Sequence, residues 1–172
     1  MASKLRVDSI LPVDGAPTSG GGGIVQVIQT IKKDQFETSQ SVGSGYADIT
    51  GLSATITPKF STSKIMVEAH IYNSNNNAVN FFRVLRGSTF IEQPSGTSSS
   101  GAGYNAHGFA YYNCNNWQDT TVIKILDSPA TTSATTYKVQ CAVTSAVCTI
   151  NKFYGTSNYY GISTITAMEV SG

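Results

Sequence analysis

Two histidines, ten carboxylates, three cysteines and abundant serine are the groups in this sequence that could do chemistry. Spacing does not gather them into a site. His70 and His107 each sit in a strand-like run, with no cysteine or carboxylate at metal-ligand spacing beside them. Cys114, Cys141 and Cys148 are odd in number and form no CxxC, which argues against a disulfide framework and against a zinc site. Cys141 and Cys148 fall in apolar segments and read as buried thiols, with a single bridge left open. No GxSxG elbow presents a serine nucleophile. The carboxylates Glu68, Glu92, Asp119, Asp127 and Glu169 are scattered, and only Glu92 with Asp119 are both near loops, as a glycosidase pair requires. The chain is therefore read as no enzyme, with neither metal nor cofactor.

The elements that must position any site are strands. Charged residues make up 12% of the 172 residues, about half the usual ~25%, yet 40% are hydrophobic, enough to build a core. Serine, threonine, asparagine and glycine supply the remaining polarity. β-Branched and alternating runs recur at Ile24–Ile31, Thr55–Thr57, Lys64–Tyr72, Val79–Arg86, Ala106–Tyr112, Thr121–Asp127, Thr136–Val143, Ala146–Ile150 and Gly161–Val170. No helical periodicity is sustained. Many short strands at this spacing predict an all-β, antiparallel sandwich or barrel. Asn73–Asn77 is read as a polar turn, and residues 94–103 and 113–119 as loops. The last strand divides into Ile162, Thr164, Thr166 and Met168 on one face, with Ser163, Ile165, Ala167 and Val170 near the other. Both faces are apolar enough to predict a central strand, or one packed against another subunit.

Residues 1–23 are different in kind. Leu5, Val7, Ile10 and Leu11 are spread among charges, and Pro12 and Pro17 forbid a long helix. Gly20, Gly21, Gly22 and Gly23 then form a flexible joint. No GK[ST] follows, so the run is not a phosphate loop. The division is an arm with a hinge over residues 1–23 and a head over 24–172. No apolar run of signal-peptide or membrane-helix length is present, so neither a leader nor membrane insertion is expected. The net charge of +1 and the lone Lys32-Lys33 doublet give no basic patch, which argues against nucleic acid as a partner.

Aromatic residues crowd the C-terminal half: Tyr104, Tyr111, Tyr112, Trp117, Phe153, Tyr154, Tyr159 and Tyr160. Several stand among Asn, Ser and Gly. Amphipathic rings beside amides and hydroxyls suit sugars and other uncharged polar surfaces. Tyr104, Trp117, Tyr159 and Tyr160 are the candidate recognition residues.

The opening Lys4–Pro12, then Asp14-Gly15, the glycine run and Ile24-Val25-Gln26-Val27, resembles the start of tail-fibre and virion-fibre proteins of tailed phages, cyanophages in particular. Asp48–Leu52, Ile56-Thr57-Pro58 with Ser63-Lys64-Ile65, and the closing Ile165–Val170 resemble the same family. The resemblance implies a virion protein made in the host cytoplasm. It implies a homotrimeric jelly-roll head similar to that of the C1q/TNF group. The arm, through Leu5, Val7, Ile10 and Leu11, would hold other virion proteins of tail or capsid. The head would contact host surface glycan. A capsid head fibre or decoration protein with no receptor role is the alternative.

Overall fold

The computed structural model describes residues 23–95, 105–111, 117–155 and 158–171, with the backbone alone at residue 117. The strands are β1 (Ile24–Lys32), β2 (Phe36–Thr38), β3 (Ala47–Ile56), β4 (Lys64–Asn75), β5 (Val79–Arg86), β6 (Thr89–Phe90), β7 (Gly108–Tyr111), β8 (Trp117–Asp127), β9 (Thr135–Val143), β10 (Cys148–Ile150) and β11 (Ser163–Val170). The only helical piece among the described residues is a 3-10 turn at Val42–Ser44.

They form two antiparallel sheets packed face to face. The front sheet runs β1-β11-β4-β8, with the short β10 and β2 continuing beside the far half of β4. The back sheet runs β3-β9-β5, and β6 and β7 share the outer edge of β5. Consecutive strands alternate between the two sheets from β2 to β5 and again from β7 to β10, a jelly-roll-like feature. The expected all-β sandwich is what the chain forms. β11 lies between β1 and β4, so the last strand is central, and its inward face is fully buried.

Period-two alternation builds the core. Ile65, Val67, Ala69 and Ile71 of β4, with Ile165 and Ala167 of β11, point inward to meet Leu52, Ile56, Phe82, Val84, Tyr137 and Val139 of the back sheet. Burying each large side chain contributes about 1.5–3 kcal/mol relative to exposure.

Three sequence readings need correction. β3 is ten residues long, not the three around Ile56. Its first half is broken by Gly51, at φ +80°, and by a register irregularity between Asp48 and Ser53, which hides the alternation. Asn73, Ser74 and Asn75 are not a turn. They are the buried end of β4, and the chain turns only after them. In β11 the inward set ends with Glu169, not Val170.

The two ends of the sandwich are distinct. β1 starts, and β11 finishes, at the end where β4 begins: Ile24, Val170 and Lys64 are in register. Ser171 N–H donates to Gly23 O at 3.0 Å there. This is the proximal end. Asn75, opposite residue 117, marks the distal end, eleven residues up β4 and roughly 36 Å away by the rise of an extended strand.

Candidate binding surfaces

A layer of buried amides and hydroxyls supports the distal end. Asn75 Nδ2 donates to Asn80 Oδ1 at 2.5 Å, and Asn80 Nδ2 to Asn73 Oδ1 at 3.0 Å. Asn73 Nδ2 reaches Thr121 Oγ1 at 3.1 Å, tying β4 and β5 to β8. The Ser74 and Thr149 hydroxyls meet at 2.5 Å, and Ser74 Oγ also accepts from Tyr154 N–H at 2.7 Å. Asn151, with φ at 59°, donates through Nδ2 to Lys32 O and Asp34 O and accepts from Ser163 Oγ at 2.6 Å. Every such bond made inside a low-dielectric core fixes a loop, because the same groups left unpaired would each be costly.

Above this layer the loops present aromatic side chains. Tyr159 and Tyr160 are 59% and 60% exposed, with Ile162 beside them. Tyr159 packs edge-to-face on Phe153 at 5.6 Å, and Phe153 N–H donates to Tyr159 O. Tyr160 bridges back to Lys152. Tyr72 lies flat over Gly161, where a Cβ would stand only 2.4 Å from its ring, and its hydroxyl donates to Gln118. Residue 117 opens β8 at this same end. Three of the four expected recognition positions thus share the distal end. Tyr104 lies outside the described residues, as do Tyr112, Cys114, the arm residues Leu5, Val7, Ile10 and Leu11, and Gly20, Gly21 and Gly22 of the hinge.

The outer face of the front sheet is a second surface. Strand register lays its side chains in rows. Val27, Met168, Met66 and Leu126 form an apolar row across all four strands. Next come Gln29, Thr166, Glu68 and Lys124, and then Ile31, Thr164, His70 and Val122. Val27, Ile31, Val122 and Leu126 are all exposed. Glu68 accepts from His70 at 2.7 Å and pairs with Lys124 at 3.2 Å. The His70 contact, then that of Lys124, holds its carboxyl below the usual range. The face thus sets exposed aliphatic side chains around one cluster of Glu68, His70 and Lys124.

The third surface, on the back sheet, escaped the sequence reading. The Arg83 guanidinium lies 4.0 Å from the Tyr46 ring centroid and 5.4 Å from that of Phe90. Its Nε donates to Gln140 Oε1 at 2.8 Å, and Gln140 and Lys138 both hold Asp48. Phe109 and Tyr111 stand exposed on the neighbouring edge strand. The alternation of Phe81, Arg83 and Leu85 was visible in the sequence, but which side of β5 faces out was not.

Both ring nitrogens of His107 are held by the backbone, whereas His70 is half exposed and, among the described residues, meets only the Glu68 carboxylate described above. His107 Nδ1 accepts from Val84 N–H at 2.9 Å and Nε2 donates to Ile91 O at 2.7 Å. Burial lowers its basicity, which suits this neutral role. Asp119 caps its own neighbour Thr120 from β8 of the front sheet, whereas Glu92 follows β6 of the back sheet. Among the described residues no three histidine, cysteine or carboxylate side chains group as metal ligands, and no helix is long and apolar enough to cross a membrane.

No family model and no curated protein matches the sequence. Solved structures of infectious bursal disease virus do. The chain is similar to that of a viral particle with a TM-score of 0.42 and 13% identity, over 97% of this chain and 42% of that one. For the Gx strain the values are 0.39, 13%, 99% and 44%. For the VP2 subviral particle they are 0.38, 12%, 99% and 44%. The chain thus spans less than half the length of each. Similarity this distant carries no argument about fold or function.

Proposed function

We propose that this chain is a virion structural protein of the tailed-phage kind, a trimeric fibre held to the particle by residues 1–23 and meeting host surface glycan with the far end of its head. The sequence resemblance to phage fibre proteins supplies the class. The observation that carries the reading is the polarity of the head. The hinge enters at Gly23 on the proximal end, and Tyr159 and Tyr160 stand exposed at the distal end, a strand's length away. An anchor and a recognition surface at opposite ends are what a fibre requires.

The front face supports the trimer. Three copies packed about an axis bury the rows led by Val27, Met168, Met66 and Leu126, which one chain leaves exposed or half-buried. Three heads then multiply weak contacts by avidity, about a hundredfold where geometry allows. Sedimentation equilibrium of the full chain is expected to give three times 18.2 kDa. The double substitution Met66→Lys with Leu126→Lys places charge in the apolar row and is expected to give the single-chain mass with an unchanged circular dichroism spectrum. A wild-type monomer would remove the trimer.

Recognition has a separate test. The full chain is expected to bind host cells, and Tyr159→Ala with Tyr160→Ala to weaken that binding at least about tenfold, as loss of exposed aromatic anchors does. Both rings are solvent-exposed, so the head keeps its fold. Wild-type protein that fails to bind host cells, yet decorates particles, would assign the chain to the capsid-decoration class instead.

A further inference from the structure

We propose that Arg83 is the centre of a second binding site, on the outer face of the back sheet, for the carboxylate of an acidic sugar of the hexuronate class. Arg83 points outward from the middle of β5, in line with Gln140 of β9 and Asp48 of β3. Three contacts fix its guanidinium. Nε donates to Gln140 Oε1 at 2.8 Å, the Tyr46 ring centroid lies 4.0 Å away and that of Phe90 5.4 Å away. The terminal amino groups, which carry most of its donors, meet no acceptor among the described residues. Asp48 does not fill them, because Lys138 Nζ and Gln140 Nε2 take its two oxygens at 2.8 and 2.6 Å. A half-buried guanidinium held along its Nε edge and stacked on a ring, with its fork unused, is preorganised for a planar carboxylate, which a fork meets with two parallel bonds.

The surroundings select a compact ring that carries the carboxylate. Phe109 stands opposite Phe81, and Phe90 opposite Leu85. They flank Arg83 along the outer edge of β5, about 7 Å to either side by the rise of a strand. Phe109 is exposed, and the apolar C–H face of a sugar can lie on such a ring. An extended peptide finds no equivalent seat. It binds a sheet by adding a strand to an open edge. Here β6 and β7 take the outer edge of β5. Between them His107 closes the gap, accepting from Val84 N–H through Nδ1 and donating its backbone N–H to Phe82 O at 2.9 Å. The site lies on the face opposite the rows of Val27, Met66 and Leu126, so it depends neither on the trimer nor on Tyr159 and Tyr160.

The test is calorimetric titration of the full chain at low salt with tetragalacturonate and with its methyl ester, the same sugar without its charge. The acid is expected to bind, and the ester to bind at least about tenfold more weakly, the effect of losing charge-assisted bonds. This comparison needs no variant. Arg83→Lys keeps the charge and loses the fork, and is also expected to weaken the acid at least about tenfold with an unchanged circular dichroism spectrum. Tyr159→Ala with Tyr160→Ala is expected to leave the affinity for tetragalacturonate unchanged, which separates this site from the distal one. No binding of the acid, equal affinity for acid and ester, or equal affinity in wild type and Arg83→Lys would each overturn the proposal. Hexaglutamate that binds through Arg83 where tetragalacturonate does not would overturn it in favour of a protein partner.

Discussion

Replacing Asp127 by alanine is expected to cost about 3–5 kcal/mol of folding stability, the range for removing one partner of a buried ion pair. Asp127 ends β8 in the front sheet with its side chain 7% exposed. Both its oxygens accept from Arg86 Nη1, at 2.8 and 2.7 Å, and Oδ2 also accepts from the Tyr137 hydroxyl at 2.6 Å. Arg86 and Tyr137 belong to the back sheet and are cross-strand neighbours. The carboxylate is thus a clamp between sheets at the proximal end. Without it a fully buried phenol loses its acceptor and a half-buried guanidinium its counter-charge. Urea unfolding is expected to show a lower midpoint at constant slope. Tyr137→Phe removes one charge-assisted bond and is expected to cost less, about 1.5–3 kcal/mol. Burial, and then Asp127, push the Tyr137 phenol well above its ordinary value. Its contribution is fully present below the unfolded-state value near ~10 and is lost as pH rises beyond it. Tyr137→Phe is therefore expected to flatten the alkaline decline. An unchanged decline would show that the phenol ionises freely in the fold.

Glu169→Ala is expected to cost on the order of 3 kcal/mol, because it takes a buried acceptor from two backbone N–H groups and from one side-chain amide. The carboxylate is fully buried beside the start of β1. It accepts from Gln26 Nε2 at 2.6 Å, Lys59 N–H at 2.7 Å and Phe60 N–H at 3.3 Å. Gln26 Nε2 also donates to Thr57 O. One side chain therefore fastens β1 and the β3–β4 connection to the last strand. Burial pushes its pKa up, but the bonds from Gln26 and from the backbone of Lys59 and Phe60 outweigh it, so the net position is below the usual glutamate value. A depressed value contributes stability that is present above the unfolded-state pKa near ~4.3 and is lost as pH falls through the folded-state value. Glu169→Gln is expected to remove this acid-limb dependence while keeping one acceptor oxygen. Equal acid sensitivity in wild type and Glu169→Gln would contradict it.

The sandwich was legible because apolar residues alternate along most strands, and alternation survives translation into a pleated sheet. The polarity of the head was less so. Tyr159 and Tyr160 could be named from their neighbours, but their place opposite Gly23 depends on the strand register that aligns Ile24, Val170 and Lys64. Polar residues misled the reading wherever they are buried. Asn73, Ser74 and Asn75 look like a turn, yet Asn80 meets them from the next strand, and their partners Thr121 and Thr149 lie far along the chain. Glu169, named in the sequence only as one of several scattered acids, is likewise fully buried. The Arg83 platform on the back sheet needs Tyr46, Phe90 and Gln140 from three other segments, and spacing in sequence carries no trace of such a grouping.

The orientation of the head on a particle tests the fibre assignment most directly. Electron cryo-microscopy of the intact virion is expected to resolve three-fold heads standing off the surface, with the Gly23 and Ser171 end toward the particle and Tyr159 and Tyr160 at the outer tip. Heads that lie with the Tyr159 and Tyr160 end against the particle, or single heads without three-fold symmetry, would contradict it.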